Sequence, residues 1–151
     1  METTILTGFE KDIIAGLSGS IKSLSSKYFY DEQGDKIFQS IMDMPEYYLT
    51  QSEFEIFSEQ KSEILRAFSS GNESFNLIEL GAGDGKKTKV LLEYFLDSGV
   101  DFTYYPVDIS PYILAELDLD LKTSLPEVEV DPLNLDYFEA LITLRKMNDR
   151  R

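Results

Sequence analysis

Three glycines spaced two apart, Gly81, Gly83 and Gly85, follow directly on the apolar run Phe75–Leu80. Glycine reaches left-handed backbone conformations at little cost and lets main chain approach a neighbour that a side chain would strike. A short apolar run closed by such a loop reads as a buried parallel strand turning sharply into a helix. The sequence downstream has the matching rhythm. Residues 86–97 carry Val90, Leu91, Leu92, Tyr94 and Phe95 on one side of a helix, and Phe102–Val107 is a second strand with Pro106 near its end. Ser110-Pro111 has the form of an N-cap followed by proline at the first helical position, opening a helix through Ile113, Leu114 and Leu117 toward Leu121. Val128–Leu135 is a third strand interrupted by Pro132, and Asp136–Lys146 a final amphipathic helix. The order βαβαβα predicts an α/β fold with a doubly wound parallel sheet of about three strands.

Upstream of Gly71 the pattern is helical. Ile5, Leu6, Phe9, Ile13 and Ile14 predict a helix over 3–16, with Gly16 as its stop, and a polar stretch runs on to Lys27. A short helix is expected near Asp35–Met42, ended by Pro45. Thr50-Gln51-Ser52-Glu53 fits a capping box, with Phe54, Phe57, Ile64, Leu65 and Phe68 along one face of the helix it starts and Gly71 as C-terminal cap. The chain therefore divides into an N-terminal helical segment, 1–71, and a partial α/β domain, 72–151.

Charge and composition narrow the chemistry. Fourteen Lys and Arg against 28 Asp and Glu give a net charge of −14. Such a field repels a polyanion, so nucleic acid is disfavoured as a partner. There is no cysteine and no histidine. Disulfides and thiolate metal sites are thereby excluded, and the commonest general base and metal ligand is missing. No metal site is expected. No apolar run reaches the ~20 residues of a membrane helix, and Met1-Glu2-Thr3-Thr4 lacks a secretory pattern. The expectation is a cytoplasmic protein without a membrane partner.

The glycine loop, Glu79-Leu80-Gly81-Ala82-Gly83-Asp84-Gly85-Lys86-Lys87-Thr88, separates three chemistries. A phosphate-gripping loop needs four residues between its glycines and then Lys with Ser or Thr, which this stretch lacks. A dinucleotide fingerprint needs G-x-G-x-x-G, whereas the spacing here is G-x-G-x-G. That tighter spacing, preceded by an acid such as Glu79, resembles motif I of the methyltransferases. Asp108 closes the second strand, where an acid can accept hydrogen bonds from both ribose hydroxyls of an adenosine. A cationic sulfonium also suits an acidic site better than a pyrophosphate does.

The surrounding blocks carry a more specific resemblance. Lys27-Tyr28-Phe29-Tyr30-Asp31-Glu32-Gln33-Gly34, then Pro45-Glu46-Tyr47-Tyr48-Leu49-Thr50 and Glu53, resemble the N-terminal signature of the histidine-specific methyltransferase family. The likeness continues through Pro106-Val107-Asp108-Ile109-Ser110 and Leu135-Asp136-Tyr137-Phe138. The family's best-known members are the histidine N-alpha-methyltransferases of ergothioneine biosynthesis. The resemblance implies a Rossmann-like class I methyltransferase sheet, S-adenosyl-L-methionine as cofactor, and N-methylation of a small-molecule amino acid, histidine foremost. It implies that Gly81, Gly83, Gly85 and Lys87 form the cofactor loop, that Asp108 holds the ribose, and that Asp136 and Tyr137 flank the adenine. Tyr30 and Tyr47 would face the substrate, and Tyr28 and Tyr48 would pack. Family members are much longer, so the chain is a fragment of a larger enzyme or a truncated one. Two other readings stay open: a cofactor-binding or scaffold module without catalysis, and a nicotinamide oxidoreductase. A sheet of three strands leaves an apolar edge, through which a homodimer is expected.

Overall fold

The computed structural model describes residues 7–69 and 74–147. Three helices, α1 (Gly8–Ser18), α2 (Glu32–Met42) and α3 (Tyr48–Ser69), precede the alternating part. There β1 (Ser74–Leu80), α4 (Lys89–Asp97), β2 (Asp101–Asp108) and α5 (Pro111–Ser124) lead to two short strands, β3 (Glu129–Val130) and β4 (Leu133–Asn134), and to α6 (Tyr137–Lys146). All strand pairings are parallel, as the α/β reading requires. β2 is central, with β1 on one side and β3 and β4 end to end on the other.

The third strand, expected over Val128–Leu135 with an interruption at Pro132, is split there into β3 and β4. Thr103 and Tyr104 pair with β3, and Val107 and Asp108 with β4, while Pro132 falls in the gap. Proline cannot donate to a ladder. Pro106 of β2 lies opposite the same gap. Tyr104 accepts from Asp131 N on this side at 2.9 Å, and main-chain groups alternate in direction along a strand, so the donor that Pro106 lacks faces the break. The two prolines thus share one interruption, and a proline is tolerated in a central strand.

Aromatic residues fill the space between β1, β2 and α4. Phe75, Phe95 and Phe102 meet pairwise with ring centroids 5.7–5.9 Å apart. Phe68 brings α3 onto Phe75 at 6.0 Å, and Leu117 and Leu121 close the cluster from α5. Burial of each such side chain stabilises by roughly 1.5–3 kcal/mol. The opposite limit is the edge of β1, where Ile78 and Leu80 are exposed and β2 is the strand's one partner among the described residues.

The N-terminal helices begin where their caps dictate. Thr7 and Glu10 form a capping box for α1, a signal passed over in the sequence. Gly16 lies inside that helix and does not stop it. A Cβ there would stand 2.0 Å from the Ser23 carbonyl oxygen, so this glycine admits the returning chain, whose Ser23 N–H bonds Gly16 O at 3.0 Å. Asp31 caps α2 through Gly34 N at 2.8 Å and starts it ahead of Asp35. Ile5, Leu6 and Gly71 lie outside the described residues.

The capping box expected at Thr50 does not form. α3 begins at Tyr48, and Thr50 Oγ1 is buried with no hydrogen-bond partner among the described residues. Glu53 turns instead to Lys87. An unpaired buried hydroxyl costs ~1–3 kcal/mol. Thr50→Val is therefore expected to raise stability by about 1 kcal/mol, read as a higher urea midpoint at unchanged slope; a lower midpoint would show that the hydroxyl is satisfied. No helix among the described residues is long and apolar enough to cross a membrane.

Candidate functional site

The site opens at the carboxyl ends of β1 and β2, where the loop after each strand faces the other. Val107 O accepts both Gly81 N at 2.8 Å and Ala82 N at 3.1 Å, which fastens the glycine loop across the end of β2. Gly81, Gly83 and Gly85 all have positive φ, at 77°, 56° and 66°. Asp108 then reaches over the loop, with Oδ2 accepting Gly83 N at 3.1 Å and Oδ1 accepting Ser110 N at 3.0 Å. Ser110 caps α5 through Ile113 N at 3.3 Å, with Pro111 next to it, as the dipeptide predicts.

A cavity of about 440 Å³ lies beside this junction. Small-molecule sites run from about 300 to 1,000 Å³. Gly81, Gly83, Lys87, Asp108, Asp136 and Tyr137 line it, and Tyr30 lines the facing wall with Asp35 and Phe38 of α2. Of the expected site residues, these seven come together and two do not. Gly85 points at α5, where an added Cβ would lie 2.3 Å from Leu117 Cδ1. Tyr47 stands one ring away, its ring 6.1 Å from Phe38, which in turn lies 6.4 Å from Tyr30. Tyr28 packs on Phe9 at 4.7 Å, whereas Tyr48 is largely exposed and not packed as expected.

Asp136 is the N-cap of α6, its Oδ1 accepting Phe138 N and Glu139 N, both at 2.9 Å. That cap holds Tyr137 in the first turn, with its hydroxyl 2.7 Å from where a Gly81 Cβ would stand. The Tyr137 ring thus stands against the first loop glycine. Gly83 has open space on its Cβ side, so main chain is bare toward the cavity there.

Carboxylates dominate the electrostatics. Asp35, Asp84, Asp108 and Asp136 line the cavity against Lys27 and Lys87. Both lysines are engaged, Lys27 with Asp12 of α1 at 2.6 Å and Lys87 with Glu53 of α3, while Asp84 is paired with Lys86 at 2.8 Å. The cavity therefore favours a cationic ligand over a pyrophosphate.

Beneath the loop, Glu79 Oε1 accepts from Thr88 Oγ1 at 2.6 Å and Oε2 from the Tyr104 hydroxyl. Burial raises the Glu79 carboxyl above its ordinary value of 4.5, outweighing both donors and the Lys87 ammonium. The folded chain thus binds this proton more tightly than the unfolded chain. The stability Glu79 contributes is fully present below about 4.5 and is lost as pH rises through the raised value. Melting wild type and Glu79→Gln in parallel is expected to show wild type losing ground steadily as pH climbs above that point. Superimposable pH profiles would exclude the effect.

The acid at Asp35, with Phe38, Gln39 and Met42 in the same wall, was missed in the sequence reading. Its signal was present. Positions 31, 35, 38, 39 and 42 fall on one helical face and place a polar edge beside apolar side chains.

The family described as histidine-specific, S-adenosylmethionine-dependent methyltransferases matches residues 9–151. A histidine N-alpha-methyltransferase of Mycolicibacterium smegmatis is 33% identical over 131 residues, which cover 87% of this chain and 40% of that protein. Ergothioneine biosynthesis protein 1 of Schizosaccharomyces pombe is 37% identical over 99 residues, covering 66% of this chain and 12% of that one. N-methyltransferase fsqC of Aspergillus fumigatus is 35% identical over 104 residues, covering 69% and 27%. The chain spans about two fifths of the length of the bacterial relatives it matches. With the likeness running through the glycine loop, Asp108 and the Tyr30 wall, this chain belongs to the histidine-specific, S-adenosylmethionine-dependent methyltransferase family.

Proposed function

We propose that this chain binds S-adenosylmethionine between the glycine loop and Asp108 and contributes to methyl transfer onto the alpha-amine of an amino acid, histidine foremost. One observation carries the reading: Gly83 N and Asp108 Oδ2 meet at 3.1 Å at the ends of adjacent parallel strands, beside a cavity of about 440 Å³. Ligands of open α/β sheets lie at such strand ends. The residues fit the cofactor. Bare main chain at Gly83 admits a close ligand, Asp108 offers acceptors for ribose hydroxyls, and Tyr137 supplies a ring beside Gly81. Lys87 and Asp136 complete that side.

The bound cofactor supplies an activated methyl on a cationic sulfur, so the protein's task is alignment and exclusion of water. The acidic lining favours that cation. In this reading residues 72–151 are the cofactor-binding part and 1–71 the substrate side. Tyr30 faces the substrate, and Tyr47 acts through Phe38, which its ring supports. The open edge of β1, with Ile78 and Leu80 exposed, is the surface for self-association. A sedimentation experiment that finds monomer alone at high concentration removes that part.

One alternative is a module that holds cofactor without turning it over. Calorimetric titration with S-adenosylhomocysteine tests binding, and incubation with methyl-labelled cofactor and histidine tests transfer. Heat with labelled product supports the enzyme and heat without product the module. Absence of both rejects the reading. A nicotinamide cofactor is disfavoured by the glycine spacing, G-x-G-x-G at Gly81, Gly83 and Gly85 in place of G-x-G-x-x-G.

A further inference from the structure

An unbroken line of hydrogen bonds joins the substrate-side wall to the glycine loop. Asp31, next to Tyr30, caps α2 through Gly34 N at 2.8 Å. One turn on, Asp35 accepts from the hydroxyl of Ser110, which lies 75 positions away in sequence. Ser110 N donates to Asp108 Oδ1 at 3.0 Å, and Asp108 Oδ2 accepts Gly83 N at 3.1 Å. Ser110 is fully buried, with Asp35 as the acceptor of its hydroxyl. Its hydroxyl oxygen is already committed to Ile113 N, which leaves its proton to Asp35. A buried hydroxyl fixed at both ends transmits displacement of either neighbour to the other.

We propose that Asp35 is a positioning residue, which couples the state of Asp108 and Gly83 to the placement of α2 and Tyr30 over the cavity. The inference rests on the reading in which Asp108 binds the cofactor's ribose. In its terms, cofactor binding engages Asp108 and tightens the Ser110–Asp35 bond, so the substrate wall is set once the cofactor is in place. Reciprocity of coupling requires that loosening α2 weakens the cofactor in turn. Couplings of this kind change affinity by about 5- to 150-fold.

The test uses the whole chain as wild type, Asp35→Ala and Asp35→Asn. S-adenosylhomocysteine affinity is measured by calorimetry, and amide hydrogen exchange at Gly83 and Ser110 is followed by NMR without ligand. Alanine is expected to weaken affinity at least about fivefold and to speed exchange at both amides. Asparagine, whose side-chain oxygen accepts the same hydrogen bond, is expected to restore both. Equal affinity and equal exchange in the three proteins overturns the proposal, as does asparagine performing no better than alanine. Weaker affinity with unchanged exchange also overturns it, since that marks Asp35 as a direct ligand contact. If wild type binds no S-adenosylhomocysteine, the cofactor reading fails by itself. Exchange at Gly83 then decides the coupling: faster in alanine and restored in asparagine upholds it, unchanged rejects it.

Discussion

Asp108→Ala is expected to lower the affinity for S-adenosylhomocysteine by at least about 100-fold while the chain stays folded. In the proposed complex the carboxylate accepts from two ribose hydroxyls, and a hydrogen bond to a charged group contributes about 1.5–3 kcal/mol. Loss of two such bonds exceeds the ~2.7 kcal/mol that corresponds to 100-fold. The cost to the fold is smaller. Gly83 N and Ser110 N lose their acceptor; Gly83 is not fully buried and lies beside the cavity, where water can reach it, so the cost falls on the buried Ser110 N. Stability should fall by about 1–2 kcal/mol, within what urea denaturation resolves. Asp108→Asn keeps one acceptor oxygen and is expected to fall between the two. Calorimetry on the three proteins at one salt concentration gives the ranking. Binding by the alanine variant within threefold of wild type would remove Asp108 from the ligand site, and with it the reading built on that junction.

The second large effect separates fold from site within a single loop. Gly85→Val is expected to destabilise by about 3 kcal/mol, from left-handed backbone and overpacking combined. Gly85 has φ +66°, where a β-branched residue is strained, and its Cβ would meet Leu117 Cδ1 at 2.3 Å. Leu117 is core, packed with Phe95 and Leu121, and cannot withdraw freely. Gly83→Ala makes the counterpart. Its φ is +56°, yet nothing lies within 4 Å of the added Cβ, so only the backbone term of about 1–2 kcal/mol applies. The same methyl would project from bare main chain at the cavity. Urea unfolding should therefore rank Gly85→Val far below Gly83→Ala, and ligand titration should rank them the other way per unit of stability lost. Equal destabilisation by the two would mean that the loop is not seated on Leu117.

Much of the architecture was legible from one-dimensional pattern because its causes are local. The apolar run before three glycines and the Ser110-Pro111 helix start both act within four residues of where they are written. The α/β class and parallel sheet followed from alternation, and the loop and Asp108 were recognised as a pair because strand ends in such sheets meet. The errors share a different cause. Thr50 had the spacing of a cap, but α3 extends one turn further back and leaves its hydroxyl inside. Gly16 had the look of a stop, but a chain returning at Ser23 uses its missing side chain.

Sequence alone therefore determined the order of strands and helices, which acid closes β2, and that a glycine loop follows β1. Only the tertiary structure decided which glycine faces the cavity and which faces Leu117, since both carry the same motif and differ in what packs opposite. It also decided that Asp35, far from Ser110 along the chain, completes that serine's hydrogen bonding. Local propensity and periodicity depend on neighbours a few residues away. The partners of a loop glycine, a buried hydroxyl or a cavity wall are chosen by which surfaces the sheet brings together.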